Sequence, residues 1–246
     1  MSAPTGFAAP TRTIARAASA DRARTGGPGP PSPAAAASDR LIRLIDVTVA
    51  SVLLAVLAPL LAITWLAVRL DSTGPAIFRQ QRLGRHGAPF TLYKFRTMAV
   101  HTDDGPHRHY VTALLASSAG SGDVAGEGGA FKLAGDPRIT RLGRLLRRSS
   151  IDELPQLVNV VRGDMSLVGP RPALAYEAAH YSRRDTHRFA VLPGITGLWQ
   201  VSGRNLLSMR DMLELDVRFV EHRSLRLYLS ILARTPREVL RPSGAR

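Results

Sequence analysis

The sequence predicts an α+β, mostly helical, monotopic membrane protein: a re-entrant helix, one short hairpin and amphipathic helices lying at the membrane interface. Three observations carry that prediction. Val47 to Val68 is an unbroken run of 22 uncharged residues, against the roughly 20 apolar residues that a membrane-crossing helix needs. Two short apolar stretches flank the turn-rich "GRHGAP", the pattern of a hairpin. From Asp136 onward, Leu, Ile and Val recur at helical spacing with Arg between them, the pattern of amphipathic helices.

In chain order, residues 1–38 are mainly Ala, Pro, Ser, Thr, Gly and Arg with almost no large apolar side chains. Such a segment buries too little surface to offset its ordering entropy, so disorder is predicted there. No short apolar core follows its first charges, as a secretory signal would require. A membrane-anchored domain is predicted over 39–240 and a tail over 241–246. The uncharged run places a helix over about 44–70. Pro59 lies in its middle and removes a backbone hydrogen bond. Both flanks are positive, with Arg40 and Arg43 before it and Arg69, Arg79, Arg82 and Arg85 after it. Basic flanks favour the cytoplasmic side, so a helix that breaks at Pro59 and returns satisfies both features. A kinked helix that crosses the bilayer is the alternative.

Ile77–Phe78 and Phe90–Tyr93 are the expected hairpin strands. A short helix is predicted near His109 to Ser117, ahead of a flexible loop. "DPRITRLGRLLRRSS" reads as a turn and a basic amphipathic helix, with Ile139, Leu142, Leu145 and Leu146 on one face. "ALAYEAAHYS" is expected to be helical, "LPGITGLWQVSGRN" a loop, and 208–240 helical with interspersed Arg.

The 246-residue chain carries 33 Lys and Arg against 19 Asp and Glu, a formal net charge of +14. Lys94 and Lys132 are its only lysines, so nearly all the positive charge is arginine, whose planar fork suits phosphate. The balance points to an anionic partner: nucleic acid, a phosphorylated substrate or an acidic lipid surface. The absence of cysteine excludes disulfides, thiolate metal sites and cysteine nucleophiles.

One stretch concentrates the chemistry, "SSIDELPQLVNVVRGDMSLVGPRP" from Ser149 to Pro172. Ser150 and Glu153 have the spacing of a capping box, in which the acids would merely start a helix. Pro155 conflicts with that, because it would fall inside the helix and lose a bond. A helix from Pro155 to Gly163 fits better, with Pro at the first position and Gly as the stop. Asp152 and Glu153 then stand just outside a helix N-terminus, whose dipole keeps a carboxylate ionised. An ionised Asp can serve as a nucleophile or a magnesium ligand. Pro170 and Pro172 restrict the backbone around Arg171, which lowers the entropy lost when its guanidinium grips a phosphate. Lys94 and Arg96 alternate along a strand and so share a face. Arg147 adds charge beside the acid pair, and Arg204 sits in a Gly-containing loop suited to phosphate. Read singly, these residues fit turns, caps and solvated strand faces equally well.

Their order is more specific. The segments "RLIDVTVASVLLAVLAPLLAI", "GPAIFRQQRLGRHGAPFTLYKFRTM", "DPRITRLGRLLRRSSIDELPQLVNVVRGDMSLVGPRP", "LPGITGLWQVSGRN" and "LELDVRFVEHRSL" resemble the bacterial sugar transferases, the monotopic polyprenyl-phosphate phosphoglycosyltransferases that begin exopolysaccharide and glycan assembly. The resemblance covers about Asp39 to Leu232. It implies a membrane helix broken at Pro59, and Asp152 and Glu153 as nucleophile and acidic neighbour with magnesium, or manganese in its place. It further implies nucleotide-diphosphate binding by Arg147, Pro170, Arg171, Pro172 and Arg204, with Lys94 and Arg96 matching the family's KFRTM element. Many large members carry several transmembrane helices ahead of the catalytic part, where this chain has only the arm.

The expected reaction moves a sugar 1-phosphate from a UDP-sugar, a hexose by closeness to the exopolysaccharide-initiating members, to undecaprenyl or another polyprenyl phosphate. UMP leaves, and an Asp152-linked phosphosugar is the intermediate. The expected place is the cytoplasmic face of the bacterial inner membrane, with anionic lipids as partners and a homo-oligomer left open. The competing class is a membrane-tethered nucleic-acid-binding protein, suggested by the charge alone. It has no recognisable nucleic-acid motif, and the aromatic residues do not interleave with the basic ones as a stacking surface requires.

Overall fold

The computed structural model describes residues 33–99, 138–203 and 207–240. The arm over 1–32, the helix expected at His109 to Ser117 and the 241–246 tail lie outside the described residues. Helix α1 spans Pro33–Val56 and α2 spans Ala58–Asp71. Residues 33–38 therefore belong to the first helix and not to the arm, with Pro33 in the first turn, where a missing N–H costs nothing. The two helices bend by 64° at the break. Pro59 sits in the first turn of α2, so it sets the new direction without losing a bond. Leu57 N–H still reaches Leu53 O at 2.9 Å, and Leu61 N–H reaches Leu57 O at 2.8 Å. Among the described residues no single helix is long and apolar enough to cross a membrane; the bent pair meets that test only jointly.

The first part of α1 is packed within the protein, with Ile42 and Ala50 in the main core. Past that point one face stays packed, through Leu54, Leu61 and Val68, and the other turns outward: Val56, Ile63 and Leu70 are 69, 67 and 79 % exposed. Contiguous exposed apolar surface of this kind marks an interaction face. The positive flanks divide. Arg40 is exposed, but Arg43 donates to Val160 O and Val161 O at 2.7 and 3.0 Å, and Arg82 is buried.

Strands β1 (Ile77–Leu83) and β2 (Pro89–Phe95) form the expected hairpin, antiparallel, with Ile77 opposite Phe95 and Leu83 opposite Pro89. Helix α3 (Arg141–Ser149) starts at Thr140, whose hydroxyl accepts the Gly143 N–H at 2.9 Å. Gly143 packs directly on the chain leaving β2. A Cβ there would stand 2.1 Å from Thr97 O, so only glycine lets α3 dock. With Gly143 and Leu146 inward, Leu145 turns away and is 63 % exposed; the predicted apolar face is narrower than the spacing suggested.

Helix α4 (Gln156–Arg162) ends at Gly163, whose φ of 91° is the left-handed stop. Then follow β3 (Ser166–Val168), α5 (Ala175–Ala178) and β4 (Gly194–Thr196). β4 lies inside the predicted loop and pairs in parallel with β3, Ser166 opposite Gly194. Three residues are too few for a strand period to be visible. Helices α6 (Met209–Glu221) and α7 (Leu225–Leu240) close the fold, α6 starting on a Ser208–Asp211 capping box.

The core is organised on one carboxylate. Asp46, 1 % exposed within α1, accepts from Ser166 Oγ at 3.0 Å, Leu167 N at 2.7 Å and Tyr228 Oη at 2.7 Å. It joins α1 to β3 and α7 among Ile42, Val160, Met165, Leu167 and Ile231. Replacing it by alanine strands three buried donors, each costing about 1–3 kcal/mol. Asp46→Ala is expected to lower the thermal midpoint in detergent by at least roughly 6–12 °C, and Asp46→Asn by less. A melt within about 1 °C of wild type would show that this carboxylate does not hold the three elements together.

Candidate active site

The acid pair occupies a turn between two helices. Ser150 ends α3 in the left-handed conformation, φ 58°, and makes no side-chain cap to the 3-10 turn Ile151–Glu153. The capping-box reading of Ser150 and Glu153 is thereby overturned. Asp152 is buried and Glu153 half-buried. Pro155 is the N-cap of α4, one position earlier than expected, and α4 has only seven residues. The charge that faces the pair comes from elsewhere.

That charge is Lys94 on β2. Burial pushes its ammonium below the ordinary 10.5, while Glu153 and then Asp152 pull it up and Arg82 and Arg171 push it down. One lysine thus stands among both carboxylates and two arginines drawn from β1 and from the loop after β3. Arg147, at the end of α3, is held by a bond from its Nε to Thr97 Oγ1 at 2.9 Å.

Arg96 parts company with Lys94. Its guanidinium donates to Pro75 O at 2.5 Å, and to Ser72 O at 2.6 Å and Val68 O at 3.1 Å. Its charged neighbours are Arg69 and Asp71. Just past the end of β2 the strand alternation no longer holds, and Arg96 instead satisfies the open carbonyls at the C-terminus of α2. The expectation that Lys94 and Arg96 share a face is corrected here. Arg204 lies outside the described residues.

Pro170, Arg171 and Pro172 follow β3. Pro170 and Pro172 are buried and Arg171 is half-buried. Below this loop lie residues that sequence reasoning missed. Arg82, 7 % exposed, donates to Pro172 O at 3.0 Å. Burial pushes its guanidinium down to about 10, with Glu177 pulling up and Arg171 pushing down. Arg188 pairs with Asp216 at 2.5 Å, both buried. Burial pushes the Asp216 carboxyl up to about 6, and Arg188 draws it back. A signal for Asp216 was available: it is an acid on the same helical face as Met209, Met212 and Leu213, all of them buried. Arg82 and Arg188 carry no such mark, since an exposed arginine looks the same in sequence.

Among the described residues no group of three or more His, Cys, Asp or Glu could hold a metal ion. A cation here would draw on two protein carboxylates at most, Asp152 and Glu153, with substrate oxygens and water completing its shell. That donor set fits magnesium, which keeps most of its ligands outside the protein.

A family model described as Bacterial sugar transferase matches residues 37–242. The chain is 40 % identical over 205 residues to the undecaprenyl-phosphate galactose phosphotransferase of Salmonella typhimurium, an overlap of 83 % of this chain and 41 % of that protein. It is 42 % identical over 204 residues to EpsL of Bacillus subtilis, an uncharacterized sugar transferase, with 83 % and 89 % covered. It is 42 % identical over 211 residues to the UDP-glucose:undecaprenyl-phosphate glucose-1-phosphate transferase of Caulobacter vibrioides, with 82 % and 71 % covered. The chain therefore spans less than half the length of the Salmonella relative and most of the other two.

The electrostatics of Lys94 give a direct check. Besides the α-amino group, only Lys94 and Lys132 take the label, so reductive methylation with carbon-13 resolves Lys94 by NMR. Its amine is expected to titrate below 10.5. Glu153→Gln should lower it further, and Asp152→Asn further than wild type but by less, because each removes a carboxylate that favours the ammonium. An amine indifferent to both substitutions would place the acid pair out of its reach.

Proposed function

The chain belongs to the bacterial sugar transferase family, and we propose that it transfers a sugar 1-phosphate from a UDP-hexose to a polyprenyl phosphate such as undecaprenyl phosphate, with release of UMP. The observation that carries this reading is that Lys94 feels the charges of Glu153, Asp152, Arg82 and Arg171, which come from three other segments of the chain. Phosphoryl transfer needs an in-line nucleophile and cations on the non-bridging oxygens, and that set contains both. The galactose and glucose in the names of two relatives support a hexose donor.

In this reading an Asp152 carboxylate oxygen attacks the β-phosphorus. The bond from that phosphorus to the bridging oxygen breaks, and UMP departs with the oxygen. The sugar phosphate is left on Asp152 as an acyl phosphate. A polyprenyl phosphate oxygen then attacks the same phosphorus, the Asp152 carboxylate leaves, and a polyprenyl diphosphate sugar forms. No net proton moves. Two successive displacements at one residue let a soluble donor and a membrane acceptor use the site in turn. Arg171 and Arg147 grip the diphosphate, Arg204 adds to them, and Lys94 compensates charge on the transferred phosphoryl. Asp152 and Glu153 would hold magnesium, or manganese in its place; when bound, the ion neutralises charge on the phosphate oxygens.

The site works at the cytoplasmic membrane face, as the first membrane step of exopolysaccharide or glycan synthesis. The outward apolar surface of α1 and α2 and the 64° bend support a re-entrant insertion. Exposed Arg141, Arg144 and Arg148 around Leu145 on α3 suit anionic headgroups. If the helix is re-entrant, single cysteines at Ser38 and Ser72 are both shielded from an impermeant reagent outside the cell. Labelling of one and not the other would convert the segment to a crossing helix.

The central test is mass spectrometry after UDP-hexose is added without lipid acceptor. One phosphosugar is expected on the peptide containing Asp152, and none in Asp152→Asn, whose turnover should fall by on the order of 10⁴-fold. EDTA should stop UMP release and magnesium restore it. A fully active Asp152→Asn protein would sink the covalent route.

A further inference from the structure

We infer that Arg188, held in place by Asp216 and Tyr181, is a positioning residue that sets Arg171 for the donor diphosphate. The inference rests on the proposed reaction for the role of Arg171, and on the backbone around it for everything else.

Pro170 and Pro172 have no N–H, so this loop can be anchored mainly through its carbonyls. Four consecutive carbonyls each take a donor. Gly194 N–H reaches Pro170 O at 2.8 Å, and Arg188 Nη2 reaches Arg171 O at 2.7 Å. Arg82 Nη1 reaches Pro172 O at 3.0 Å, and Leu83 N–H reaches Ala173 O at 2.9 Å. Two of the donors are backbone amides of strands β1 and β4. The other two are buried guanidiniums, Arg188 on the carbonyl of Arg171 and Arg82 on the next one.

Arg188 is the more elaborately fixed of the two. Its Nη2 also reaches Asp216 Oδ2 at 2.5 Å, and its Nη1 reaches Tyr181 Oη at 2.6 Å. The guanidinium lies 5.2 Å from the Tyr181 ring centroid, and that ring stacks on Phe189 at 6.1 Å. The Arg171 backbone N–H faces the same Asp216 carboxylate. Both peptide groups of Arg171 are thus referred to one ion pair that bridges the 3-10 turn Asp185–Ala190 and α6. A buried ion pair is a poor device for stability alone, because desolvation offsets the attraction and apolar replacements often do as well. It is a good device for fixing a backbone to a fraction of an ångström, and displacement of a binding group by about 1 Å is enough to cost large factors in rate or affinity.

The prediction is one of coupling. A residue that acts through Arg171 should matter little once Arg171 is itself impaired, whereas a merely structural residue weakens every background alike. The full chain in detergent is titrated calorimetrically with UDP as wild type, Arg188→Lys, Arg171→Lys and the double variant. Lysine cannot reproduce the fork that spans three acceptors. Arg188→Lys is expected to weaken UDP roughly tenfold alone and less than about twofold on top of Arg171→Lys, while the KM for the lipid acceptor stays within about twofold. Equal factors in both backgrounds, an equal change for donor and acceptor, or a wild-type chain that does not bind UDP would each overturn the inference. If Arg188→Lys does not accumulate as folded protein, Tyr181→Phe removes a single acceptor and carries the same comparison, with a loss of roughly threefold expected in the parent and none beside Arg171→Lys. Failure of the reaction itself is read separately: a chain that shows the coupling with UDP but releases no UMP from any UDP-hexose overturns the proposed transfer and leaves the positioning role standing.

Discussion

Arginine side chains that donate to backbone carbonyls are the constraint on which the rest of this molecule depends. The strands are short, the loops contain proline and glycine, and several helices end with unpaired carbonyls. Each such carbonyl must find a donor once buried. Arg43 supplies the end of α4, Arg96 the end of α2, Arg82 and Arg188 the loop around Arg171, and Arg234 the carbonyl of Val201. A guanidinium suits this task because its five donors diverge in a fixed plane and its charge is never lost. The high arginine content therefore has two uses. Part of it faces outward toward anions, and part is internal scaffolding that no net-charge argument distinguishes.

The same device links the bent helix pair to the region of the acid pair. α1 enters the protein on Asp46 and Arg43, one accepting from β3 and α7, the other donating to α4. α2 leaves against Arg96, which belongs to the segment just beyond Lys94. The helix pair is thus joined at both ends to the elements that carry Lys94 and the acid pair. This suits the proposed transfer, in which one substrate arrives in solution and the other in the bilayer.

Within the site, charge is balanced locally. Lys94 offsets Asp152 and Glu153, Asp216 offsets Arg188, and Glu177 stands near Arg82. Each buried charge in this region therefore has an opposite charge near it. Such arrangements are organised before the substrate arrives, which is what electrostatic stabilisation of a transferring phosphoryl group requires.

Much of this was legible in the residues. The uncharged run with Pro59, the hairpin around "GRHGAP", the helix stop at Gly163 and the series from Asp152 to Arg171 all depend on neighbours a few positions apart, and local sequence reports local geometry. What only the tertiary structure decided involves partners far apart in the chain. Arg82 meets Pro172 across 90 positions and Arg43 meets Val160 across 117. β4 exists because β3 lies beside it. Lys94 and Arg96, two residues apart, are sent to different tasks by what packs on each. An arginine in sequence is a charge on a flexible stem, and whether it grips a ligand or a carbonyl of its own chain is set by which backbone ends are buried beside it.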